Sequence, residues 1–216
     1  MDVNSWNGNE YNLLFSNLDN GKFSDIARPM GCDEVEESRA VSVADLNNDG
    51  SPDLVINNNA APPTIYLNRM GGTGNFFRAK LTGDPAKSDS GHASSLDAFG
   101  ARVEVDIEKD GETRTLVRLV EAGAGYAAQS EKAVHFGLGE ADTIMEIRIA
   151  WPSGTEQSIS GEAATQLGLV NRECSIVEGE IPVPVPVPVP GPISEEPTPA
   201  PSVPAVPEEE TAGLGQ

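Results

Sequence analysis

Oxygen-bearing side chains stand at Asp45, Asn47, Asp49 and Asp53, with Gly50 directly after the third. A hard cation such as Ca²⁺ takes roughly six to eight oxygen ligands at about 2.3–2.6 Å, and one short loop can supply most of them. Alternate spacing turns successive side chains toward the inside of a bend, and Gly50 permits the sharp turn this requires. The backbone carbonyl of Ser51 is a further oxygen in the same bend. The candidate metal set is therefore Asp45, Asn47, Asp49, Ser51 and Asp53, with Ca²⁺ as the expected ion. A solvated turn is the plain alternative, since Asn, Asp and Gly favour turns without any ion.

The flanks decide what holds this loop. Val41-Ser-Val-Ala precedes it and Leu54-Val-Ile follows it, so it joins two β-strands, 40–44 and 54–57. An EF-hand would need amphipathic helices on both sides and a bidentate Glu at the twelfth loop position, where Ile56 stands. Upstream, Tyr11-Asn-Leu-Leu-Phe-Ser-Asn and Phe23-Ser-Asp-Ile-Ala flank an Asn-Gly pair, a hairpin signal. Asn17, Asp19 and Asp25 lack a full ligand set and read as a turn. The acidic run Asp33, Glu34, Glu36 and Glu37 reads as a solvated loop. A further strand is expected at 64–68, and Gly71-Gly-Thr-Gly marks a boundary.

From Asn75 to Val177 the pattern stays β. Ala101-Arg-Val-Glu-Val-Asp-Ile-Glu alternates apolar and charged residues, the mark of a half-buried strand. An Asp-Gly turn and a returning strand over 113–120 follow. Ile144-Met-Glu-Ile-Arg-Ile-Ala-Trp alternates again and stops at Pro152-Ser-Gly, while 157–160 and 166–171 are weaker strand candidates. Short strands with frequent turns suggest a small sandwich or barrel-like module.

Two resemblances emerge from these residues. Ala44-Asp-Leu-Asn-Asn-Asp-Gly-Ser-Pro-Asp-Leu-Val-Ile resembles the calcium loop of an FG-GAP or VCBS-type propeller repeat. That likeness implies a four-stranded blade with Asp45, Asn47, Asp49 and Asp53 as ligands. Gly100-Ala-Arg-Val-Glu-Val, Gly123-Ala-Gly-Tyr-Ala-Ala-Gln-Ser, His135-Phe-Gly-Leu-Gly and Ile149-Ala-Trp-Pro-Ser-Gly, in that order, resemble the ASPIC/UnbV domain. Such domains follow propeller repeats in the cartilage acidic protein-like family. The stretch Asp84–Leu96 departs from that pattern by its length and serine content.

Composition narrows the function classes. The chain has 216 residues, 34 acidic against 14 basic, and a net charge of −20. Such a field repels nucleic acid and anionic lipid, so neither is an expected partner. No apolar run is long enough to span a membrane, and the polar N-terminus is not a signal peptide, so a fragment of an exported protein is expected. Cys32 and Cys174 leave open a single disulfide or two free thiols. Two histidines, His92 and His135, are a thin supply for acid–base work; His135 reads as a core or turn residue and His92 as exposed. Trp151 and Tyr126 read as core or rim residues. Eleven of the 17 prolines lie between Pro182 and Pro207, with seven acidic and no basic residues from 178 on, so an extended or disordered spacer is expected.

The expectation is an all-β chain: a partial propeller blade with the calcium loop (1–72), an ASPIC/UnbV β domain (73–177) and an acidic proline-rich spacer (178–216). Its expected role is a non-catalytic, calcium-binding interaction or adhesion module, secreted or at the cell surface, with a protein or glycan partner. The alternative is the C-terminal part of a secreted propeller hydrolase or lyase whose active site lies in upstream blades. A compact unit that folds alone or pairs with a second copy is a third possibility.

Overall fold

The computed structural model describes residues 10–18, 21–69, 74–87 and 91–186. Among the described residues the chain is all-β apart from two short helical segments. The expected boundary at Gly71-Gly-Thr-Gly lies largely outside the described residues, as do Asp19 and most of the proline-rich tail.

The partial blade comes first. Strands β1 (Phe15–Asn17) and β2 (Phe23–Asp25) pair antiparallel, as the Asn-Gly signal predicts. A one-turn helix α1 (Ala27–Met30) follows, entered through Asp25, whose Oδ1 accepts the Ala27 N–H at 3.0 Å. Strands β3 (Ser38–Ala44), β4 (Asp53–Asn58) and β5 (Thr64–Tyr66) then form a three-stranded antiparallel sheet in that order. The resemblance implies four strands in one sheet. Among the described residues three are found, because β1 and β2 are short and pair only with each other. The acidic run is less free than expected. Glu37 accepts from Asn59 Nδ2 at 2.7 Å and Glu34 from the Thr64 hydroxyl at 3.2 Å, tying the segment before β3 to the far end of the sheet.

The second module is a two-sheet sandwich built from β6 (Asn75–Thr82), β7 (Arg102–Lys109), β8 (Glu112–Leu119), β9 (Val134–Gly139), β10 (Ile144–Ala150), β11 (Glu156–Ser160), β12 (Arg172–Val177) and β13 (Val183–Pro184). One sheet runs β11-β10-β7-β8 and the other β13-β12-β6-β9. Alternation aims Val103, Val105, Ile107, Ile144, Ile147 and Ile149 inward from the first sheet. Phe77, Ala79, Leu81, Val134, Phe136, Leu138, Cys174 and Ile176 meet them from the second. Trp151 closes one end of this core, its indole N–H donating to Gln157 Oε1 at 2.9 Å. Tyr126 stays exposed on its loop. The cysteines are free, Cys174 buried in the core and Cys32 in the blade, and burial pushes the Cys174 thiol up to about 12.

Two stretches differ from the sequence reading. The 166–171 strand candidate is instead the end of helix α2 (Gly161–Gln166) and the turn after it. Ser160 caps that helix by accepting the Ala163 N–H, and Ala163 and Ala164 favour it. Gly168 and Asn171 then take left-handed conformations that no strand would tolerate.

The other difference is that residues 178–186, expected in the spacer, continue the sandwich. Val183 lies opposite Ser175, Pro184 opposite Cys174, and the Val185 N–H donates to the Glu173 carbonyl at 2.9 Å. Glu178 is fully buried, accepting the Asp84 N–H at 2.9 Å and the Ser153 hydroxyl. Burial raises the Glu178 pKa, but these hydrogen bonds outweigh it and leave the group below its ordinary value of 4.5. A carboxyl with a lowered folded pKa contributes stability that is present above the unfolded value and lost as pH falls through the folded one. Glu178→Gln is therefore expected to flatten the decline of melting temperature below pH 4.5. An unchanged acid profile in that variant would refute the assignment.

Candidate metal centre

The loop between β3 and β4 is folded by its own carboxylates. Asp45 Oδ1 accepts the Asp49 N–H at 3.0 Å and Asp45 Oδ2 accepts the Gly50 N–H at 2.9 Å. Asn47 Oδ1 shares the Asp49 N–H at 3.1 Å, and Asn47 Nδ2 donates to Asp49 Oδ2 at 2.8 Å. Asp49 Oδ1 accepts the Ser51 N–H at 2.8 Å. Asp53, fully buried at the start of β4, accepts the Leu46 N–H at 2.9 Å and the Asn68 N–H at 2.8 Å. Gly50 sits at φ +86°, in the left-handed region the sharp turn needs.

Asp45 and Asp53 are buried at the base of the loop, Asn47 is half-buried, and Asp49 is exposed but bonded back to Asn47 and the Ser51 N–H. Ser51 lies in the same turn. Among the described residues, no three His, Cys, Asp or Glu side chains converge as a ready metal cluster. Backbone N–H groups and the Asn47–Asp49 contact hold the loop in the arrangement described. The donor set nonetheless fits Ca²⁺ chemically: it is all oxygen, carries three carboxylates, and Asp45 Oδ1, both oxygens of Asp49 and both of Asp53 keep lone-pair capacity beyond the single N–H each accepts. Asp45, Asn47, Asp49, Ser51 and Asp53 are the residues that would hold the ion.

A second set of residues reaches this loop from the sandwich. On β6, alternation sends Phe77, Ala79 and Leu81 into the core and Phe76 and Arg78 to the opposite face. Arg78 pairs across the sheet with Glu173 on β12 and His135 on β9. The β3–β4 loop lies against this row. Arg78 Nη1 bonds Asp45 Oδ2 at 2.9 Å and Asn48 Oδ1 at 3.3 Å, while Nη2 meets Glu173 Oε2 at 2.9 Å and Glu131 Oε1. Arg78 is only 4% exposed and Asp45 7%, so the pair lies out of water. Buried ions need such multiple partners, since desolvation of a lone one costs several kcal/mol. The Arg78 Nε has no hydrogen-bond partner among the described residues.

His135 completes the contact. Its Nε2 donates to the Gly50 carbonyl at 2.8 Å, which fixes the tautomer with the proton on Nε2. Its ring stacks on Phe76 at 5.8 Å. Burial lowers the His135 pKa, the nearby Arg78 adds to this, and the Gly50 hydrogen bond opposes it. Along the same seam, the Val43 N–H donates to the Ser130 hydroxyl at 3.1 Å, the Glu131 N–H to the Val43 carbonyl at 2.9 Å and the Asp45 N–H to Glu131 Oε2 at 3.2 Å. His92, by contrast, is exposed on its loop.

Sequence reasoning placed the loop and its ligand candidates but missed Arg78, Glu131, Glu173 and Phe76. A signal was present: an arginine inside the apolar run Phe76-Phe77-Arg78-Ala79, at the phase opposite to the core, marks a second face that is also buried.

Three family models match parts of the chain. Residues 1–56 match the model of an FG-GAP-like repeat, 39–75 that of an FG-GAP repeat, and 91–177 that of the ASPIC and UnbV family. The chain is similar to cartilage acidic protein 1 of Xenopus tropicalis, 40% identical over 118 residues, which is 52% of this chain and 16% of that protein. It is 27% identical to cartilage acidic protein 1 of Mus musculus over 127 residues, 56% of this chain and 17% of that protein. Its likeness to the Homo sapiens protein is 28% over 117 residues, 52% of this chain and 15% of that protein. The chain thus spans about one sixth of the length of these curated relatives.

Proposed function

We propose that this chain, which carries an FG-GAP-like repeat followed by an ASPIC/UnbV domain, is a non-catalytic, calcium-stabilised interaction module that works outside the cell. The observation that carries the reading is that Asp45, Asn47, Asp49 and Asp53, all oxygen-bearing, are gathered by hydrogen bonds into one loop around the Gly50 turn. Likeness to proteins named for cartilage and acidity supports the extracellular setting, and the net charge of −20 suits a calcium-rich one. His135 is committed to the Gly50 carbonyl and Trp151 to Gln157, which supports structural rather than catalytic roles for them. No helix among the described residues is long and apolar enough to cross a membrane. The partner is read as a protein or glycan met by the β surface.

Extracellular calcium sites have dissociation constants near 10⁻⁴–10⁻³ M, so millimolar calcium is expected to stabilise the chain by about 0.5–1.5 kcal/mol. For a chain of this size that corresponds to a rise in melting temperature of about 1–5 °C. Asp49→Ala is the variant of choice, because Asp49 is exposed and its loss leaves Asp45 and Asp53 holding the loop. It is expected to abolish both the calcium-dependent rise and terbium luminescence. A wild-type chain with neither signal would remove the calcium reading.

A further inference from the structure

The buried arginine at the seam has no role in a plain calcium loop. It belongs to the sandwich, yet its guanidinium lies on a carboxylate of the loop. Asp45 Oδ2 is taken by Arg78 and Gly50, whereas among the described residues Asp45 Oδ1 receives only the Asp49 N–H. Arg78 therefore fixes the orientation of this carboxylate and leaves one oxygen with lone-pair capacity for a cation. The charge on Arg78 is balanced by Glu131 and Glu173, both on sandwich segments, so a cation at Asp45 is not opposed by an uncompensated guanidinium. Glu131 also accepts the Asp45 N–H, so the same carboxylate that balances Arg78 grips the loop backbone.

We propose that Arg78 is a positioning residue of the calcium loop that couples cation binding to docking of the sandwich on the blade. This rests on the calcium reading above. Ordering the loop around a cation fixes Asp45 and the Gly50 turn, which are the groups Arg78, His135 and Phe76 hold. Docking and binding then strengthen each other by the same factor, as linkage requires.

Hydrogen exchange of the full 216-residue chain tests this at segments 41–47 and 128–134, whose N–H groups cross the seam. In the wild type, calcium is expected to slow exchange in both segments by about five- to tenfold, within the range of ordinary site coupling. Arg78→Gln is expected to bind terbium more weakly and to lose the calcium effect at both segments. Should that variant not fold, Glu173→Gln provides the test. It touches Arg78 but not the loop, and by leaving the guanidinium less compensated it is expected to lower terbium affinity several-fold. Terbium binding without slowed exchange in the wild type would overturn the coupling and leave the calcium reading standing. Full calcium response in Arg78→Gln, or unchanged affinity in Glu173→Gln when that variant carries the test, would do the same. Absence of terbium binding in the wild type would overturn both.

Discussion

Phe136→Ala is expected to remove about 3–5 kcal/mol of stability, a large share of the roughly 5–15 kcal/mol that holds a domain folded. Phe136 is fully buried between the two sheets. Its ring stacks on Phe77 at 6.0 Å, and the Arg118 guanidinium lies 5.8 Å from its centroid. Truncation removes the transfer energy of the ring and leaves a void between two sheets whose strands are fixed by their ladders. Collapse into that void is therefore limited, which places the cost toward the upper part of the range. Urea unfolding followed by near-ultraviolet dichroism measures it. A loss under about 1 kcal/mol would mean that the sheets close over the gap. The neighbouring His135 points the other way, so the effect is expected in the sandwich transition first.

Gly50→Ala comes next, with an expected cost of about 2–4 kcal/mol. Two independent terms add. The residue sits at φ +86°, which an L side chain adopts at a cost of about 1–3 kcal/mol. A Cβ there would also run into the Phe76 ring, and that ring cannot swing aside without leaving its stack on His135. Gly111→Ala separates the terms, because Gly111 has φ +79° and nothing near its absent Cβ. Thermal unfolding of the pair is expected to show the larger loss at Gly50. Equal losses would mean that the ring yields freely.

What the sequence disclosed follows from how local each signal is. The loop from Asp45 to Asp53 and the strands around it were legible because turn residues and period-two patterns act within a few residues. The alternation of Arg102–Lys109 and Ile144–Ala150 gave their inward faces directly. Arg78 was not legible as a site residue, since its role depends on Asp45, 33 positions away, being carried by its loop over the outer face of the sheet. Helix α2 was missed because one and a half turns carry little periodicity, and its capping serine closes a strand. The Val-Pro run was read as spacer because proline lacks the donor a ladder needs, a rule that exempts residues facing away from the partner strand.

That exemption has a consequence for the molecule in a crowded solution. With the Val185 N–H turned toward Glu173, every second residue of this margin presents its backbone nitrogen outward, and those residues are Pro182, Pro184 and Pro186. The outermost rim of the sheet offers a stranger's backbone no proton to accept. Addition of further chains along this rim is thereby disfavoured, by residues that also hand the polypeptide over to its acidic tail.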